Sequence, residues 1–143
     1  MDSRISVIRD AAGRQVGAGW VRTLRATGEF VFSGCYGYRT LPGAERPSVH
    51  VAFPLESGNV QVFLRPRALA DGSLLLESPG GRFGGDGAYV VVEDRGATYA
   101  SRAPVHETFH VHLDDRGVLR TDHVLRLGRA TAVRLHYKLL PPV

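Results

Sequence analysis

The alternation of apolar and polar residues over positions 105–139 predicts three paired β-strands. Residues 114–117 (DDRG) have the Asp and Gly preferences of a type I turn followed by a left-handed glycine. This turn places Leu113 opposite Leu119, and every second earlier residue then faces its partner on the same side of the sheet. A one-residue slip would put histidines opposite leucines. The alternation and the turn therefore select the same register, which gives one mostly apolar face.

That apolar face also carries polar and ionisable side chains, namely Glu107, Thr121, His123 and Tyr137. Burying such groups costs free energy unless they are paired or used. Two interpretations follow for Glu107 and His123, which are diagonal neighbours in the predicted register. Either they satisfy each other near the end of a barrel, or they contact a ligand.

The opposite, outer face of the same strands places His110, Asp122 and His136 side by side. A His/Asp/His set on adjacent strands has the donor atoms that a divalent metal takes. The alternative is a solvated face, because an open sheet surface also tolerates histidines that have no role.

A second alternating stretch, residues 14–39, places an arginine among aromatic side chains. With a turn at residues 26–28, we expect three cross-strand pairs: Leu24 with Phe30, Arg22 with Phe32, and Trp20 with Gly34. An arginine on this inward face either extends its head group to the rim or awaits an anion.

The hairpin around residues 93–96 (EDRG) repeats the Asp-Arg-Gly letters of the later turn. We expect the same turn geometry, which would pair Val91 with Tyr99 and Tyr89 with Ser101.

Just before this hairpin, residues 79–87 (PGGRFGGDG) form a glycine-rich segment. This segment lacks the Lys-Ser/Thr ending and the following helix of a P-loop, so we expect a mobile rim loop rather than a phosphate cradle.

The regular spacing of short alternating segments predicts the fold class. We expect about ten antiparallel strands and no helix, in a single all-β domain over residues 1–143. A meander of this many strands hides its edges by closing into a barrel, and the alternative is a β-sandwich. No apolar run approaches the ~20 residues of a membrane-spanning helix.

The charge and cysteine content narrow the function classes. The formal charge of +4 comes almost entirely from arginine, since Lys138 is the only lysine. The arginines are scattered singly, as in a protein encoded by a GC-rich genome, and we expect no nucleic-acid binding. The start of the chain lacks the features of a signal peptide. Together with the single Cys35, this predicts a cytoplasmic location.

Two ends of the chain resemble a known group. Asp10, Gly13 and Arg14, with residues 20–24 (WVRTL) and 135–139 (LHYKL), resemble an uncharacterised bacterial family that is similar to the soluble domain of YndJ-like proteins. The likeness implies no function. By strand count the chain is also similar to the calycin group, which includes lipocalins and fatty-acid-binding proteins. It departs from the lipocalin Gly-x-Trp start, and no Arg-x-Tyr pair closes the chain.

Three functions are compatible with this sequence. The first is a calycin-like barrel that binds a small apolar or amphipathic molecule, its polar end fixed by Arg22, His123 and Tyr137, with Trp20, Glu107 and Thr121 nearby. The second is a structural or protein-interaction domain without a ligand. The third is an enzyme with His123 as general base, although no catalytic motif is present and we assign no catalytic residue. The sequence does not identify a cofactor or an oligomeric state.

Overall fold

The computed structural model describes residues 2–139, which form antiparallel strands and no helix. The strands are β1 (Asp2–Arg9), β2 (Gln15–Thr23), β3 (Phe30–Arg39), β4 (Ser48–Leu55), β5 (Gly58–Ala68), β6 (Leu74–Glu77), β7 (Gly87–Asp94), β8 (Ala97–Arg102), β9 (Val105–Leu113), β10 (Leu119–Leu127) and β11 (Ala130–Lys138). Across these residues no helix is long and apolar enough to cross a membrane. The prediction of an all-β antiparallel chain is confirmed.

The sheet branches at β5. Neighbouring strands follow the order β1-β2-β3-β4-β5-β6-β9-β10-β11, and the hairpin β7–β8 joins β5 outside this path. Residues 58–63 of β5 pair with β7, and residues 65–68 pair with β6. The sheet curls into an open half-barrel with β1 and β11 at its two ends. The closed barrel expected from the sequence is therefore not what the single chain forms.

The register of the β9–β10 hairpin agrees with its prediction. Leu113 lies opposite Leu119 and Phe109 lies opposite His123. The backbone amide of Asp114 donates to the carbonyl of Val118, and Gly117 has φ 71°. Both the backbone amide of Val118 and the side chain of Arg120 donate to the Asp114 carboxylate, and these bonds lower its pKa. The turn is thus held by its first residue, as the Asp-to-Gly pattern indicated.

The β7–β8 register differs from our prediction by one residue. Tyr89 lies opposite Arg102 rather than Ser101, because Asp94 pairs directly with Ala97 across a two-residue turn. Arg95 and Gly96 have φ values of 48° and 79°, the pattern of a type I′ turn. The same Asp-Arg-Gly sequence thus forms a tighter turn here than in the β9–β10 hairpin. This turn places Arg102 on the face that carries Tyr89.

The N-terminal strand pairs agree with the prediction in two cases of three. Arg22 lies opposite Phe32 and Trp20 lies opposite Gly34, but a bulge after Arg22 places Thr23, not Leu24, opposite Phe30. A Cβ at Gly34 would lie 3.2–3.3 Å from the rings of three aromatic residues, namely Phe32, Tyr36 and Phe53. Glycine therefore leaves the space in which these rings pack.

The core is small and central. Its buried members are Val51, Val62, Leu64 and Ala88, on the inward face of β4, β5 and β7. Burial falls towards both ends of the sheet: in β1, Ile5 is 64 % exposed and Val7 is 50 % exposed, and in β11, Leu135 is 42 % exposed. The concave face is thus packed in its middle and open at its two edges.

Candidate functional site

The concave face brings together an arginine and two aromatic rings from opposite ends of the sheet. The Cζ atom of Arg22, on β2, lies 4.3 Å from the ring centre of Trp20 and 5.2 Å from that of Tyr137, on β11. A guanidinium over aromatic faces gains cation–π attraction. The curl of the sheet makes this contact, because β2 and β11 are distant along the path of strands.

Two buried donors in this contact have no acceptor. Within residues 2–139, neither Nε of Arg22 nor Nε1 of Trp20 makes a hydrogen bond, although both atoms are buried. No carboxylate of the described residues forms a salt bridge with Arg22. Buried donors are usually paired, so an unpaired arginine and tryptophan side by side indicate a place where an acceptor is missing.

Glu107 and His123 lie on the same face and contact each other. His123 Nε2 is 3.2 Å from Glu107 Oε1, and the His123 ring stacks on Phe109 with centres 3.9 Å apart. The predicted diagonal contact is confirmed. The Nδ1 atom of His123 is buried and has no partner among the described residues. Thr121, also buried, lies opposite Tyr137 in the register.

Tyr36 joins these groups and was not among the predicted site residues. Burial raises the pKa of Tyr36 to about 12, Arg22 opposes this shift, and the charges of Glu107 and Tyr137 add to it. The alternation in residues 30–38 does place Tyr36 inward, so its signal was present. We call the set Trp20, Arg22, Tyr36, Glu107, Thr121, His123 and Tyr137 the interior cluster.

The two described cavities lie away from Arg22. One, of about 210 Å³, is lined by Ser78, His106 and Glu107 among others. The other, of about 790 Å³, lies between residues 41–48, 65–68 and 84–86. The interior cluster itself lies on the open concave face. Any ligand at Arg22 would therefore rest in the mouth of the half-barrel, with Glu107 alone bordering a cavity.

Residues 79–87 are fastened to the outer face by a residue that the sequence analysis missed. The Arg102 guanidinium donates to the carbonyl oxygens of Pro79, Arg82 and Asp86 over 2.5–2.7 Å, and to the hydroxyl of Tyr89. That hydroxyl in turn donates to the carbonyl of Gly85. These contacts give the segment fixed partners, and the mobility expected of this loop stays a prediction. The one-residue error in the β7–β8 register hid this role, since it placed Arg102 away from Tyr89.

The outer histidine set has the predicted adjacency. Asp122 lies between His110 and His136 in the register. The Nδ1 atom of His136 is 2.5 Å from Oδ1 of Asp122, and His112 also approaches this carboxylate. The structure thus groups His110 and His112 with Asp122 as the possible metal ligands, where the sequence suggested His136 in place of His112.

The fold and site define an all-β half-barrel with a polar interior cluster. In comparisons with known proteins, no family model, no curated protein sequence and no solved structure matched the chain. The resemblance to YndJ-like proteins therefore stays a prediction.

Proposed function

We propose that the half-barrel binds a small amphipathic molecule whose anionic head group pairs with Arg22. The observation that supports this proposal is the buried Nε of Arg22, which lies beside Trp20 and Tyr137 without an acceptor in the described chain. A buried polar group left without a partner costs about 1–3 kcal/mol. A carboxylate accepts two parallel hydrogen bonds from a guanidinium, and it would recover that cost.

The surroundings of Arg22 suit the rest of such a molecule. The rings of Phe32 and Phe53 lie 5.1 Å apart, and Trp20 packs against Phe32. An apolar tail would rest on these rings, because ligand sites combine an apolar lining with a few polar anchors. Glu107 is a residue of opposite charge to Arg22, but its contact with His123 holds it to that partner. The head group would thus lie towards Arg22 and Trp20.

Trp20 makes this proposal directly testable, since it is the only tryptophan in the chain and belongs to the site. Titration with decanoate should change the Trp20 fluorescence in a saturable way, whereas decanol should bind at least tenfold more weakly. The Arg22→Gln variant should lose most of the affinity for decanoate. Arg129→Gln, at an exposed turn position, is the matched control and should bind normally.

Two results would overturn the ligand proposal. One is an unchanged Trp20 spectrum up to millimolar decanoate, together with a native mass of the protein from its own host equal to the polypeptide mass. The other is equal affinity of wild-type and Arg22→Gln protein for decanoate.

A second candidate function is an interaction domain that pairs with a second copy of itself. The accessible surface of the chain is 10320 Å². A compact protein of 15.6 kDa exposes about 7,300 Å² by the usual size scaling. This excess of roughly 3,000 Å² per chain is at least as large as the about 1,000–2,500 Å² that each partner of an obligate dimer buries. The half-barrel thus exposes enough surface for a stable interface.

The two free edges of the sheet favour a second copy as the partner. β1 and β11 end the strand path, and both present exposed apolar side chains, including Ile5 and Leu135. About a twofold axis, β1 of each copy would pair with β11 of the other, which would close a barrel shared by two copies instead of the single-chain barrel expected from the sequence. Sedimentation equilibrium tests this arrangement: a dimer that Ile5→Asp converts to monomer supports it, and a wild-type monomer at 100 μM rejects it.

Three parts of this proposal rest on sequence alone: the kinship with YndJ-like proteins, a bacterial source and a cytoplasmic location.

A further inference from the structure

A cluster of histidines lies on the outer face, on the side of the sheet opposite the interior cluster. His110 and His112 on β9 and Asp122 on β10 offer one ligand atom each, and these atoms lie within 4.8 Å of one another. We propose that these three residues bind a divalent transition metal of the zinc type. Nitrogen and carboxylate oxygen donors are the ligands that such ions take, with water completing the coordination.

His112 supplies the first argument. Its Nδ1 atom is buried, has no hydrogen-bond partner in the described residues, and lies 3.9 Å from Oδ2 of Asp122. This separation is too long for a hydrogen bond. Two ligands of one tetrahedral zinc ion lie roughly 3.3 Å apart, given bond lengths of about 2.0–2.1 Å. A small rotation of the side chains would bring both atoms to that distance, and the ion would satisfy the buried nitrogen.

A chain of hydrogen bonds through Ser73 and Asp71, which lie just before β6, orients His110 as a ligand. The hydroxyl of Ser73 donates to Oδ1 of Asp71 over 2.6 Å, so its oxygen is left to accept from Nε2 of His110 at 2.9 Å. This chain of bonds places the ring proton on Nε2 and leaves the lone pair on Nδ1. Second bonds of this kind fix the tautomer of metal-binding histidines and raise the basicity of the ligand atom.

Asp122 is oriented from its other side. The Nδ1 atom of His136, on β11, lies 2.5 Å from Oδ1, and this contact leaves Oδ2 towards His112. His136 is thus a positioning residue. The cation nearest in the register is Arg120, opposite His112, and it pairs with Asp114 at 2.8 Å. Its positive charge is therefore partly neutralised before a metal ion arrives.

The test is zinc binding to the untagged full chain, measured by calorimetry, with the absorption of bound Co²⁺ reporting the coordination geometry. We expect one ion per chain, an intense tetrahedral Co²⁺ spectrum, and at least 30-fold weaker binding in each of the variants His110→Gln, His112→Gln and Asp122→Asn. His106→Gln is the matched control, because His106 lies on the same strand and face but contacts Ser78 instead.

The test relies on two substitutions of different chemistry, His112→Gln and Asp122→Asn, so that a folding defect in one variant does not decide it. Circular dichroism checks that each variant is folded. The proposal is overturned if wild-type protein binds Zn²⁺ no better than millimolar. It is also overturned if folded His112→Gln or Asp122→Asn protein binds as tightly as His106→Gln protein. The site is independent of Arg22, so Arg22→Gln should leave zinc affinity unchanged.

Discussion

His123 Nε2 and Glu107 Oε1 lie 3.2 Å apart on neighbouring strands, with only 11 % and 9 % of the two side chains exposed. Breaking such a buried contact leaves one group without its partner. We expect Glu107→Gln and His123→Gln each to lower the free energy of unfolding by about 1–3 kcal/mol. The double variant should lose less than the sum, with a coupling of about 1–2 kcal/mol in urea unfolding.

The exposed ion pair between Asp2 and Arg25 is the control for this cycle. Its side chains are mostly solvated, so Asp2→Asn should change the free energy of unfolding by less than about 0.5 kcal/mol. Additive effects of the two substitutions at Glu107 and His123 would show that the contact contributes no stability.

Tyr36 should make stability fall at alkaline pH. Its pKa in the folded chain is about 12 against an ordinary value of 10.0, chiefly because of burial. The folded state therefore holds the phenol proton more tightly than the unfolded state. This contribution is complete below pH 10 and is lost as the pH rises towards 12. We expect wild-type protein to lose about 1–2 kcal/mol relative to Tyr36→Phe over that interval, after allowance for partial exposure.

Urea unfolding at several pH values between 8 and 11.5 measures this difference. Tyr38→Phe is the matched control, since Tyr38 lies on the same strand and is 69 % exposed. Parallel pH profiles of wild-type and Tyr36→Phe protein would contradict the assignment.

The two Asp-Arg-Gly turns should respond differently to the same substitution of the arginine by asparagine. Arg95 has φ 48° and is the only non-glycine residue with positive φ in residues 2–139, a conformation that costs most side chains about 1–2 kcal/mol. Asparagine is preferred there in a type I′ turn. We expect Arg95→Asn to raise the free energy of unfolding by about 0.5–1 kcal/mol, and Arg116→Asn to give no gain. Denaturant midpoints at constant slope measure both.

Arg102 should control the opening of residues 79–87. Lysine cannot reproduce the forked donors that meet three carbonyls and the Tyr89 hydroxyl. We expect Arg102→Lys to speed tryptic cleavage after Arg82 at least tenfold and to reduce amide protection across the loop. Arg134→Lys, at an exposed site on β11, should leave both unchanged. Equal cleavage rates in the two variants would show that Arg102 does not hold the loop.

The register of one Asp-Arg-Gly hairpin was predicted correctly from the sequence and that of the other was not, for a physical reason. Around residues 114–117, the turn preference and the alternation of the strands agree, and the predicted register is confirmed. Around residues 93–96, the letters alone do not distinguish a left-handed Arg95 from a right-handed one. The apolar residues before this turn are nearly continuous, so alternation could not correct the error.

The interior cluster could be predicted only in part. Strand alternation correctly placed Glu107 and His123 together, because their contact is local to one hairpin. The approach of Arg22 to Tyr137 depends on the curl of the whole sheet. In the same sheet β5 pairs with both β6 and β7, and no local sequence pattern marks such a branch.

The contact between Arg22 and Tyr137 also has a kinetic consequence. The two residues are more than 100 positions apart in sequence, and closing a loop of that length costs about 4 kcal/mol of chain entropy. The hairpins, with their short turns, can form before that cost is met. The two ends of the sheet should therefore meet after the folding transition state, and weakening their contact should speed unfolding while leaving the folding rate nearly unchanged.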